Sequence, residues 1–362
     1  MSKENINKKS GGIVSGLLLL VVGIGILWYN EGRTVKNQGA INEARKNYID
    51  VSSKEIESKN DGKLVATKGK IDLSETTELS DSKFGIKAKA AKLIRTVEMY
   101  QWEEKCETDD DDRKRCTYEK VWESSIIDSS DFEESGHTNP NTMPYENENY
   151  IADNVKLGAF YLPEELIKSL STNKKKNNDD LTKEYNNSVE SIKIDGSYLT
   201  DVKDGNAEIG NVRISYQYLD SENVSVMAVQ SDNTFEAYTA KNGKDIYKIM
   251  KGNYTGAQIL EKMTKSNNNW KWILRAIGTL ITILSFSSMF SFINNLTSRI
   301  PILGNLVSGA TGLISVILGL SLSLIVIAIA WFRFRPILSL ILLALVVVLI
   351  VFLKFYVKKE NK

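Results

Sequence analysis

The side chains that carry most enzyme chemistry are scarce in this 362-residue chain, which has one histidine and two cysteines. The histidine stands in Gly136-His137-Thr138-Asn139-Pro140, a loop in which a lone imidazole is more often structural than catalytic. One histidine excludes a zinc-protease His pair, and no Gly-x-Ser-x-Gly elbow occurs. Gly62 and Gly69 are too far apart for a phosphate-binding loop, and Lys70 is followed by Ile71 rather than Ser or Thr. Two Cys and one His make at most a poor zinc site. Cys106 and Cys116 stand at mirrored ends of an acidic hairpin tip. That placement points to a disulfide and an oxidising compartment; the alternative is two free thiols in a reducing one. Asp109–Asp112 offers oxygens to Ca²⁺, but without EF-hand spacing a solvated loop is the simpler reading. An enzyme would need an arrangement such as Glu103/Glu104 converging with Glu123 in a pocket. The residues thus assign no catalytic, cofactor-binding or metal site, and the chain reads as non-enzymatic.

The elements that must position these residues follow from hydropathy. Three C-terminal apolar runs, Trp272–Ile293, Leu313–Trp331 and Ile337–Val357, are each about 19–22 residues long, enough for a helix to cross ~30 Å of hydrocarbon. A fourth run, Ile13–Tyr29, follows Lys3, Lys8 and Lys9 and lacks the small residues of a cleavage site, so it reads as an uncleaved signal anchor. Of the 45 acidic residues, 43 lie between Glu31 and Glu261, against 32 of the 46 basic ones, so that stretch is net acidic. From Lys262 to Lys359 there is no Asp or Glu, which argues against a proton- or cation-coupled transporter. Lys271, Arg275, Arg299, Arg333, Arg335, Lys354, Lys358 and Lys359 read as interfacial anchors at run ends. Small residues recur at i, i+4 as Gly304, Ser308, Gly312 and as Ser315, Gly319, Ser323, a spacing that lets helices approach. Gly12 and Gly16 form a weaker pair.

The expected fold is a multi-pass membrane protein with one N-terminal and three C-terminal transmembrane helices around a β-rich α+β extramembrane domain. Its parts are a cytoplasmic tail (1–12), the first helix (13–29), an extracytoplasmic or lumenal domain (30–269), a three-helix bundle (270–357) and a second cytoplasmic tail (358–362). Strands are expected at Lys63–Ile71, Lys92–Glu103, Thr117–Ile127, Val155–Tyr161, Ile192–Leu199, Asn211–Leu219, Val224–Gln230 and Thr234–Thr239. Helices are expected at Thr34–Asp50, from Pro163, and over Gly256–Lys265; Asn173–Asp180 reads as a solvated loop, and Ile300–Ser308 as re-entrant or interfacial.

A set of motifs begins at Tyr29-Asn30-Glu31-Gly32-Arg33 after the first span and is strongest at Leu93–Trp102, with Val97-Glu98-Met99-Tyr100-Gln101-Trp102 at its centre. It continues through Trp122–Asp128, the His137, Asn139 and Pro140 loop, Gly210–Tyr216 and Arg335-Pro336. In these stretches the chain resembles the transmembrane protein 43 (LUMA) family. The resemblance implies a non-enzymatic multi-span protein that self-associates, without cofactors and without assigned catalytic residues. It implies the endoplasmic reticulum and inner nuclear membrane for a eukaryotic member. The Lys/Asn/Ile-rich composition suits an A·T-rich bacterial genome and hence a bacterial cell membrane. The Cys106/Cys116 pair and acidic tip depart from the family pattern. The expected partners are membrane lipids, further copies of the chain, and an unidentified membrane or envelope protein, with no nucleic acid. The expected function is organisation of membrane or envelope structure; the alternative is a stress sensor or regulatory subunit whose β-rich domain binds a partner or ligand. Met99 or Trp102 is expected in the core of an amphipathic strand, with Glu98, Gln101 and Trp102 as an alternative partner surface.

Overall fold

The computed structural model describes residues 3–108, 114–297, 301–337 and 339–340. These hold helices α1 (Lys3–Asn47), α2 (Glu164–Ser169), α3 (Asn178–Glu184), α4 (Gly256–Thr297) and α5 (Pro301–Phe334). The strands that position side chains are β1 (Leu64–Asp72), β2 (Lys92–Thr108), β3 (Lys114–Glu123), β4 (Glu148–Ile151), β5 (Val212–Leu219) and β6 (Asn223–Ser231). Contacts divide the chain into two compact units, one of Met1–Lys46, Thr239–Asp245 and Leu260–Lys362, the other of Asn47–Tyr238 and Ile246–Ile259.

In the helical unit, segments of α1, α4 and α5 are long and apolar enough to cross a membrane. The expected last span, Ile337–Val357, lies outside the described residues from 341 onward. Each long helix absorbs a neighbour read as separate. α1 continues through the helix expected at Thr34–Asp50, with Ala40, Ile41 and Ala44 buried. α4 runs unbroken from Gly256 across position 270. α5 starts at Pro301, which suits a first helical turn, so from Pro301 the segment expected to be re-entrant or interfacial is the helical opening of α5, and Ile300 lies outside the described residues.

Glycines set the helix contacts. A Cβ on Gly16 would lie 2.6 Å from the Met289 side chain, one on Gly23 2.8 Å from Thr282, and one on Gly278 2.8 Å from Leu27, so α1 and α4 approach closely and run antiparallel. A Cβ on Gly319 would lie 2.5 Å from Ile283, which brings α5 against α4. The buried hydroxyls of Thr282 and Ser323 bond across that contact at 2.7 Å. Ser315 is buried as well, whereas a Cβ on Gly312 would meet nothing within 4 Å among the described residues. Gly304 and Ser308 have no described side-chain environment.

The β-rich unit has two seven-stranded sheets. β1 and β6 form the centre of one, pairing antiparallel from Leu64↔Val229 to Lys70↔Asn223. β2 forms the centre of the other, with β5 on one side and β3 and β4 on the other. β5 alternates as its sequence does, with Val212, Ile214 and Tyr216 inward. One core draws on both sheets, including Val65 and Val226 from the first and Leu93, Val97 and Met99 from the second.

Three expectations about this unit fail for local reasons. Val155–Tyr161 is two short strands, because Gly158 turns the chain at φ +64° against the Ser53 backbone. Asn173–Asp180 is not a solvated loop. Lys174 and Lys175 pair with β5, and Asn177 closes a capping box with Asp180 at the start of α3. Ile192–Leu199 likewise breaks at Gly196 into Lys193–Asp195 and Tyr198–Thr200.

Candidate functional site

The charged centre of the helical unit is built from all three long helices. Glu31, two residues past the apolar run of α1, is fully buried. Its Oε1 accepts the Nε–H of Arg275 of α4 at 2.7 Å and lies 2.6 Å from Nη2 of the same guanidinium, an ion-pair contact. Its Oε2 accepts the indole N–H of Trp331 on α5 at 3.0 Å. The Arg275 guanidinium lies over Trp272 at 4.9 Å and over Trp331 at 5.7 Å. The neighbouring motif residues extend the seam. Asn30 donates to the Lys271 carbonyl at 3.0 Å and accepts from Arg33 at 3.4 Å. A Cβ on Gly32 would meet the Phe334 ring at 2.8 Å. One turn on, Asn267 donates to the Thr34 carbonyl at 3.1 Å. Arg275 is therefore not the simple interfacial anchor expected. It lies inside the run Trp272–Ile293, and a guanidinium there needs a counter-charge, which the chain, without carboxylates from Lys262 to Lys359, supplies from α1.

The Val97–Trp102 segment of β2 organises a loop. Met99 and Gln101 are buried, as Val97 is. The Gln101 amide donates to the Ser125 carbonyl at 2.8 Å and accepts from the Ile127 N–H at 2.8 Å. Asn139 accepts from the Trp102 N–H at 2.7 Å and donates to the Trp102 carbonyl at 2.8 Å. The loop over residues 124–141 is thus clamped to the sheet by two side-chain amides. Pro140 packs toward Gly210, whose φ is +95°. Gln101 is committed inward, so it presents no partner surface. Glu98 is also committed, in a two-pronged pair with Arg213 at 2.7 and 3.1 Å, and Arg213 lies over Trp122. Tyr100 packs on Trp122 at 5.0 Å between ring centroids.

His137 stacks face to face on Tyr118 at 3.9 Å and edge-on to Trp102 at 4.5 Å. Its Nδ1 is buried without a hydrogen bond among the described residues. The Tyr118 hydroxyl donates to Glu104 at 2.5 Å, which holds that carboxyl below its usual range. Cys106 and Cys116 face each other across the β2–β3 register and form the disulfide. Glu104 and both sulfurs come within 4.8 Å, but the S–S bond commits the sulfurs. Asp109–Asp112 lies outside the described residues. The carboxylate arrangement that an enzyme would need does not assemble: the register sets Glu103 opposite Glu119, Glu104 opposite Tyr118 and Glu123 opposite Met99.

Sequence reasoning passed over a second buried cluster. Arg95 of β2 bonds Asp81 at 2.6 Å and Glu148 at 2.7 Å, and Tyr216 donates to Asp81 at 2.7 Å. Burial opposes the Arg95 charge, but the Asp81 bond and charge outweigh it and keep the guanidinium protonated. Burial, then the Asp81 bond, push the Tyr216 hydroxyl up. Lys92 caps the end of α2 through the Lys168 and Leu170 carbonyls, and burial, then Lys251, push its ammonium down. The signal for the Arg95 cluster was a charged residue at an inward position of an alternating strand, which must carry partners with it.

Residues 99–336 match the family model described as Transmembrane protein 43. The chain is similar to Transmembrane protein 43 of Rattus norvegicus, 29% identical over 96% of this chain and 90% of that protein. It is 28% identical to Transmembrane protein 43 of Homo sapiens, over 94% and 88%. It is 29% identical to the Transmembrane protein 43 homolog of Drosophila melanogaster, over 90% and 89%. No solved structure matches it. With membrane-length helices before and after a β-rich domain and the family model matching from within that domain into the C-terminal helices, this chain is an integral membrane protein belonging to the Transmembrane protein 43 family.

Proposed function

We propose that the chain is a non-enzymatic membrane organiser that self-associates through its helices and gathers lipid or partner proteins, with its acidic β-rich domain in an oxidising, extracytoplasmic space. The observation that carries this reading is the use made of the polar groups. Glu31 and Arg275 among the helices, and Asp81, Arg95, Glu98, Gln101 and Arg213 in the β-rich domain, are bonded to one another or to backbone and hold the architecture. The disulfide supports the compartment.

The small-residue stripe divides by role. Ser315, Gly319 and Ser323 belong to contacts within the chain, whereas Gly312 is open among the described residues and flanked by exposed Leu313 and Ile317. The self-association surface is therefore assigned to the Gly312 face. Oligomeric mass in detergent, measured by light scattering, tests it: Gly312→Leu should lower the mass toward the monomer while the protein stays folded. An unchanged mass would remove this interface.

A further inference from the structure

The centre around Glu31 carries more positive charge than it neutralises. Glu31 gives one oxygen to Arg275 and the other to Trp331, so it has little left to offer a further cation. Two more cations stand beside it. Lys271 lies over the Trp272 ring at 5.4 Å, and Arg335 over the Trp331 ring at 5.8 Å. Each tryptophan therefore carries two cations, with Arg275 shared between them. Lys271 is within electrostatic reach of Arg275, Arg335 and Glu31. Neither Lys271 nor Arg335 has an ion pair among the described residues; the Lys271 ammonium bonds the Asn268 side chain at 3.2 Å. No carboxylate follows in sequence until Glu360. Three cations around one acid leave an excess of two positive charges.

The depth of this excess selects its counter-ion. Trp272 opens one apolar run and Trp331 closes another, and amphipathic indoles at span ends sit at headgroup level. The anion abundant at that level is phosphate. A guanidinium grips it through a planar fork, and an ammonium adds a point charge.

We propose that Lys271 and Arg335, backed by Arg275, bind the phosphate of an anionic lipid headgroup. The proposal rests on the lipid-gathering part of the function above and gives that part a site. A headgroup with no net charge leaves the excess uncompensated, so the site discriminates phosphatidylglycerol from phosphatidylcholine.

Native mass spectrometry of the full chain, released from mixed phosphatidylcholine and phosphatidylglycerol nanodiscs, tests this. The unaltered chain should retain phosphatidylglycerol preferentially. Lys271→Gln/Arg335→Gln should reduce that preference by roughly tenfold. Arg335→Lys, which keeps the charge and loses the fork, should fall between. Arg275 is left intact so that Glu31 keeps its partner. Equal retention of the two lipids by the unaltered chain would overturn the proposal, as would an unchanged preference in the double variant. Displacement of the lipid by millimolar inorganic phosphate would overturn the lipid assignment in favour of a soluble phosphate. The same spectra report oligomer mass, so failure of the lipid site and failure of self-association are read separately. Should the double variant not fold, the lipid preference of the unaltered chain and of Arg335→Lys decides.

Discussion

Removing one member of the Glu31–Arg275 pair leaves the other charge buried and uncompensated, at a cost of about 3–5 kcal/mol. Glu31→Gln and Arg275→Met should therefore each lower the melting temperature in detergent, while the double variant recovers part of the loss because both charges go together. Purely additive losses would mean that the two residues act independently. A second consequence at this scale concerns alkali. Burial, with Glu165 and Glu236 adding to it, pushes the Tyr247 hydroxyl up to about 12, and burial raises Tyr150 and Tyr216 too. An unfolded tyrosine ionises near ~10, so the stabilisation from these groups is complete below that pH and is lost as pH rises through the folded values. Circular dichroism and phenolate absorbance followed from pH 9 to 13 should show a late absorbance phase that coincides with unfolding. Tyr247→Phe should reduce the loss of stability between pH 10 and 12, and equal losses in both proteins would contradict this. Individual residues were the least legible scale in sequence. Arg275 looks like an anchor until the helix that brings Glu31 to it is known. Gln101 looks like a surface amide until two backbone partners from a loop more than 20 residues away are found.

Elements were legible where one physical signal dominated. The alternation of Val212–Leu219 and the apolar lengths around Ile13–Tyr29 and Leu313–Trp331 are properties of single segments, and both survive in the fold. The reading failed where a partner supplied what the segment lacked. Asn173–Asp180 is as polar as any loop, yet its lysines find backbone partners on the edge of β5. The i, i+4 stripe on α5 was visible, but its division between an inner face and an outer one depends on where α4 lies. That division contrasts two substitutions. A leucine at Gly319 would collide with the Ile283 side chain and backbone and separate α4 from α5, so Gly319→Leu should lower the melting temperature in detergent where Gly312→Leu does not.

At the scale of the whole molecule, charge segregation and the single disulfide bear on where the large domain lies. Cys106 and Cys116 in intact cells should resist a membrane-impermeant thiol reagent until a reductant is added, without permeabilisation. Labelling that requires permeabilisation but no reductant would put the β-rich domain in the cytoplasm and reverse the proposed orientation. The pairing of the first helix with the fourth also has a consequence in time. Glu31 and Arg275 are 244 residues apart in sequence. At ~5–20 residues per second, a ribosome needs about 12–50 s to make that interval. Throughout it the nascent chain holds an acid at the end of its only inserted helix without its counter-ion. A polypeptide terminated anywhere before Arg275 lacks that counter-ion permanently, so its first helix ends on an unmatched acid.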